Sequence, residues 1–334
     1  MSESISSTVK HTGLTLDSVF VEVQHSEGLG LPKANHIRFF HTTMRGNKLT
    51  TENLQVFLRR NLARYVFSRA QLENYRVNDD LDSAVSEAMR IMAENGDSSS
   101  EGTGNMLDEI LVYAFLEEKL KAPKLMSRVE LYTELAKFRS ECKGIHLLSP
   151  SDLPENTKFQ MVFGASNIVD DVKIAIDRAF ETIAKINAHE SREVLMVQKT
   201  VLDQFFNQDE VDLLTQVLIP QPGQPESYDT AYGIFLGYQL GLNPEGRGDD
   251  FEALAEQKML CDIKEHAGYI AEKISAAGLT GHSFYVYVVP FNDAEQEKTQ
   301  IMDAVLRGRT PIRASLKRCA SEISFSKVLM RTII

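Results

Sequence analysis

Residues 159–167 read FQMVFGASN: an apolar run, Gly164, then Ala165, Ser166 and Asn167 ahead of a helical pattern that begins near Asp170. Strand, glycine, small polar residues and helix is the arrangement at which open α/β sheets place their chemistry. The stretch carries no charge, and Ser166 is its one nucleophilic group. No serine of the chain sits in a GxSxG elbow. Locally, Ser166 or Asn167 can accept hydrogen bonds from the first free N–H groups of the following helix.

The surroundings of this stretch give the fold class. SRVELY (127–132), KGIHLL (143–148) and KFQMVF (158–163) are short strand candidates bounded by Pro, Gly, Ser and Asn. Ahead of them EILVYAFLEEKL, capped by Asn105 or Asp108, is apolar nearly all round from Ile110 to Leu116, the pattern of a helix buried on most sides. Behind them DDVKIAIDRAFETIAKI (170–186) places Val172, Ile176, Ala179, Ile183 and Ile186 on one helical face. Further strands are predicted at LTQVLIP (214–220), AYGIFLGY (231–238) and SFYVYVV (283–289). Helices alternating with strands predict an α/β (α+β) domain over 106–306, with a mixed central sheet flanked by helices. Residues 94–105, ENGDSSSEGTGN, read as a flexible linker or a long loop. Residues 1–93 form a mostly helical module: short strands at 19–23 and 36–40, one helix over 50–75 with Leu54, Leu58, Leu62 and Val66 in step, and a second over 83–94.

Composition narrows the function. Of 334 residues 43% are apolar and 25% charged, which is ordinary for a globular protein. No apolar run reaches the length needed to span a bilayer, and the N-terminus lacks the layout of a secretory signal. Three widely spaced cysteines argue against a disulfide framework, so a cytoplasmic protein is expected. A net charge of −11 argues against sequence-independent binding of nucleic acid by the whole surface. The segment 307–334 differs: Arg307, Arg309, Arg313, Lys317, Arg318, Lys327 and Arg331 face a single acid, Glu322. Such a basic tail can hold a phosphate backbone or an acidic patch of a partner, or dock on its own acidic body.

Several sites are excluded by residue pattern. There is no P-loop, GxGxxG, HExxH or paired CxxC, and Cys261 and His266 are a lone pair without further ligands. Two acids stand out. Glu109 opens the apolar helix, and Glu130 lies inside the strand candidate VEL; a buried carboxylate is costly unless it is paired, hydrogen-bonded or metal-bound.

The order GNMLDEILVYAFLEEKLKAPKLMSRVEL, KGIHLL, FQMVFGASN and DVKIAIDRAFETI, followed by YGIFLGYQL and YVYVVPFNDAEQ, resembles the HamA family, the nuclease subunit of the Hachiman anti-phage defence system. The resemblance covers roughly residues 104–305. It implies a restriction-endonuclease-like core of the PD-(D/E)xK type and a superfamily 2 helicase partner, HamB, acting together on DNA. In such a site a helix glutamate, a strand aspartate and a Glu-x-Lys on the next strand converge on Mg²⁺, because residues i and i+2 of a strand face one side.

Carried onto this chain, the helix glutamate falls on Glu109, the aspartate on Lys143 and the Glu-x-Lys on Ala165 and Asn167. Gly144, His146, Gly164 and Ser166 retain the scaffold. The resemblance therefore implies a pseudonuclease with no cofactor expected, serving as a DNA-binding, helicase-binding or regulatory subunit. The alternative is a Mg²⁺-dependent deoxyribonuclease with a migrated site, in which Glu109 and Glu130 are ligands and Lys143 is the catalytic lysine. Arg307, Arg309, Arg313, Lys317 and Arg318 are the candidates for contact with nucleic acid or a partner.

Overall fold

The computed structural model describes residues 14–95, 106–127, 140–152, 158–202, 208–219, 227–242 and 248–307. In chain order the elements are α1 (Leu16–Val19), β1 (Phe20–Val23), β2 (Asn35–Thr42), α2 (Glu52–Val66), α3 (Arg69–Val77), α4 (Leu81–Asn95) and α5 (Met106–Glu118). They continue with β3 (Lys124–Ser127), β4 (Gly144–Leu148), β5 (Phe159–Ile168), α6 (Val172–Ala188), α7 (Glu190–Leu202) and α8 (Gln208–Leu218). The last are β6 (Tyr228–Gln239), α9 (Gly248–Ala276), β7 (Ser283–Phe291) and α10 (Ala294–Arg307). Among the described residues no helix is long and apolar enough to cross a membrane.

The seven strands form one mixed sheet in the order β1-β2-β7-β6-β5-β4-β3. Four central strands, β2, β7, β6 and β5, run parallel, and an antiparallel partner lies on each side of them. The N-terminal strands therefore share one sheet with the strands from the rest of the chain. Helices cover both faces. On one, α6, α8 and α9 bring Ile176, Ala179, Leu214 and Met259 against Met161, Phe163, Ile234 and Val286. On the other, α5 and α10 pack on the strands around Val162, Ala231, Phe235 and Tyr287, and α2 and α4 close the same core over them. The parallel core needs this double cover, since its strands are apolar on both sides.

Three local expectations are corrected. The helix expected over 50–75 is two helices: Phe67 turns to extended backbone, and Ser68 and Gln71 form a reciprocal capping box that starts α3. The described part of LTQVLIP belongs to α8 and its end, because Leu214, Val217 and Leu218 recur at helical spacing and all face the core. GASN is part of β5, which stays in register with β6 from Phe159↔Tyr228 to Ile168↔Gly237. Of the strand candidate SRVELY only Ser127 falls within the described residues, as the end of β3. Of the expected linker, Glu94 and Asn95 close α4 and the rest lies outside the described residues.

Helix α5 is the innermost helix. Its residues from Ile110 to Glu118 are all buried. Close approach to β6 depends on Gly233, where an added Cβ would lie 2.5 Å from Leu116 Cδ2 and 2.9 Å from its Cδ1. At the far end of the sheet, buried Lys124 extends its ammonium to the carbonyls of Arg64, Tyr65 and Phe67, at 3.0, 3.1 and 2.9 Å. Those carbonyls end α2 and lack intrahelical donors, so the lysine caps the helix at its negative pole.

Both features carry measurable weight. Gly233→Ala is expected to lower stability by about 1–3 kcal/mol in urea unfolding, because the methyl overfills the α5–β6 contact. Lys124→Met should cost about 2–4 kcal/mol in the same measurement, since it strips three carbonyls, two of them buried, of their donor.

Candidate functional site

Strand β5 outruns its antiparallel neighbour. Pairing with β4 covers Gln160 to Phe163, whereas pairing with β6 continues to Ile168. Where β4 gives out, Lys143 N donates to Gly164 O at 2.8 Å and the chain turns away. The backbones lie close here: a Cβ on Gly164 would stand 3.2 Å from Gly144 O, which accounts for the glycine at 164. Beside this opening lies the first turn of α5.

Alternation along β5 separates the residues of FQMVFGASN. Ser166 projects toward α5, where its hydroxyl donates to Asp108 Oδ2 at 2.9 Å. Ala165 is fully buried among Ile145, Phe163 and residues of α6 on the opposite face. Asn167 shares that side of the strand. Ser166 is thus a partner of Asp108, not a helix cap. The N-cap of α6 is Asp171, whose Oδ1 accepts from Lys173 N and Ile174 N.

The structure joins Glu109 and Lys143. Lys143 Nζ lies 2.8 Å from Glu109 Oε1, with both side chains largely shielded from solvent. Tyr65 of α2 donates its hydroxyl to Glu109 Oε2 at 3.3 Å. Asp108 next door is buried, and burial pushes its carboxyl up to about 6, with Glu109 adding to the rise and Lys143 and the Ser166 hydroxyl opposing it. One ammonium therefore serves two neighbouring carboxylates. His146 is buried against Tyr113 with Nδ1 2.8 Å from Ala122 O, and burial lowers it to about 4, so the ring is neutral at physiological pH.

Asp108, Ser166 and Tyr65 were not among the site candidates read from sequence. The available signal was the Asp-Glu pair opening an otherwise apolar helix; which donors answer those acids depends on distant segments. Of the other candidates, Arg307 ends α10, exposed and 3.4 Å from Asp303. Glu130, Arg309, Arg313, Lys317 and Arg318 lie outside the described residues.

A magnesium ion takes six oxygen ligands in near-octahedral geometry and is held by carboxylates that face it. The described residues do not fit that demand: the Glu109 carboxylate faces an ammonium and a hydroxyl, and no three Asp, Glu, His or Cys side chains gather within metal-binding reach among them. What the cluster can do is hold a buried charge network and exchange a proton at Asp108.

The sign of that exchange is testable. The folded-state pKa of Asp108 lies above its unfolded value, so its contribution to stability is fully present below about 4 and is lost as pH rises through about 6. Asp108→Asn, which keeps an acceptor for Ser166, should therefore stabilise the protein by about 1–3 kcal/mol above pH 6. That gain should shrink steadily toward pH 4, as read by urea unfolding across the range.

No curated protein and no solved structure gives a match to the chain. A comparison with protein families matches residues 17–305 to HamA, a span that takes in every element from β1 to β7 and nearly all of α1 and α10. The chain belongs to the HamA family, that of a subunit of the Hachiman anti-phage defence system.

Proposed function

We propose that this HamA-family chain is a pseudonuclease: a nuclease-fold subunit that has given up metal-dependent cleavage and acts in its defence complex by binding a helicase and DNA. The observation that carries the reading is the Lys143–Glu109 ion pair. Lys143 occupies the position at which the family resemblance expects a metal-binding aspartate, and its ammonium engages the one acid of that pattern that is retained. An ammonium here repels a divalent cation from the place where the cation would bridge these groups. Ala165 and Asn167, at the Glu-x-Lys positions, supply neither the second carboxylate nor the lysine. The basic residues from Arg307 to Arg318 give the same chain a means of holding a phosphate backbone.

The pairing of Glu109 with Lys143, beside Asp108, also gives the second reading a foothold. Two acids and a lysine in one opening are the parts of a migrated nuclease site, with Glu130 as a further ligand.

Incubation of the full-length protein, alone and with its helicase, with plasmid and linear DNA in Mg²⁺ and in Mn²⁺ separates the two. The pseudonuclease should leave both DNAs intact under every condition while co-purifying with a helicase. Cleavage that vanishes in Glu109→Ala and in Lys143→Ala would establish the migrated site instead.

A further inference from the structure

We propose that the groove between α3 and α4 is the seat of the chain's own basic segment, residues 309–331. None of the residues of α3 is buried, so the helix lies on the body with a face that nothing described covers. Between it and α4 runs an open groove lined in part by Tyr75, Asp80, Asp82, Glu87 and Arg90. Arg90 is already engaged by Glu87 and Glu94. Asp80 and Asp82 are exposed and form no ion pair among the described residues, which leaves the groove acidic. Where α3 ends and α4 begins, Val77 and Leu81 stand 70% and 51% exposed, two of the most exposed large apolar side chains described.

The occupant follows from charge, composition and position. Residues 309–331 hold six cations, Arg309, Arg313, Lys317, Arg318, Lys327 and Arg331, against Glu322. Ile312, Leu316, Phe325 and Leu329 are interleaved with them, which matches a groove that offers both carboxylates and apolar surface. With −11 overall and +5 in that segment, the remainder of the chain carries −16, so attraction between the two is built into the sequence. The exit point is on the correct layer. α10 packs on α2, α4 and α5, and Arg59 Nη2 donates to Ala304 O at 2.7 Å within one turn of Arg307. From Arg307 even a half-extended segment of this length spans the body, at roughly 3.3 Å per extended residue. Seated there, the segment's cations face carboxylates, and a phosphate backbone has to displace them. The seat does not depend on how the Lys143 site is read.

Hydrogen exchange on the full-length chain at low salt tests this. Amides within 309–331 should exchange more slowly than in Asp80→Asn/Asp82→Asn, a change that keeps capping side chains at the start of α4; the loss of several exposed ion pairs should speed them by about tenfold. Arg313→Glu/Lys317→Glu/Arg318→Glu leaves the groove untouched and should release the segment to the same extent, with faster exchange at 75–90 as the second readout. Unchanged protection of α2 and α5 amides confirms that each variant is folded. Equal exchange of 309–331 in the parent and both variants overturns the proposal. So does protection that rises with protein concentration, which would place the segment on a second copy.

Discussion

A helix with no side facing water constrains everything around it. α5 is apolar through its middle and acidic at both ends, and the sheet, α2 and α10 enclose it. Its carboxylates cannot turn to solvent, so each must meet a donor from elsewhere in the chain. Ser166 answers Asp108, Lys143 and Tyr65 answer Glu109, Lys124 N answers Glu117 at 2.5 Å, and Leu16 N answers Glu118 at 2.8 Å. Those donors come from α1, α2, β3, β5 and the entry to β4. Satisfying one helix ties the first described residues of the chain to the centre of the sheet.

The same constraint explains why the candidate site is where it is. An opening between β4 and β5, faced by the N-terminus of a buried helix, concentrates charge in a place poorly reached by water. Acids there are valuable to a metal enzyme and expensive to any other protein. In this chain the charge is answered internally: Lys143 neutralises Glu109, and Asp108 is held by a serine hydroxyl. The opening's geometry and its electrostatics can therefore change separately, since the glycine that shapes it, Gly164, and the side chains that charge it are different residues.

Much of the fold was legible because burial imposes period. The helical face of α6, the apolar α5 and strands β2, β4, β6 and β7 follow from alternation or 3.6-residue spacing within short windows. Reading failed where a short apolar run fits both periods. Leu214, Val217 and Leu218 sit on a helix because one side of that segment meets the core and the other meets water. It failed again at the end of α2, where a single capping residue inside a long helical pattern, Ser68, outweighs the periodicity around it. Of the candidate site, Glu109 and Lys143 were identified, whereas Asp108 and Ser166 were read as capping residues. A short polar side chain beside a helix start can meet either of two partners, and sequence does not say which is nearer.

By itself the sequence determined most of the elements, the class of fold and the family, and it set Lys143, Ala165 and Asn167 where the family resemblance expects acid, acid and lysine. Those are properties of residue type and local spacing. Only the tertiary structure decided that Lys143 reaches Glu109, that Ser166 and Ala165 lie on opposite faces of β5, and that the N-terminal strands complete the same sheet. Each of these outcomes is set by which buried group finds which partner across the fold rather than by any pattern along the chain.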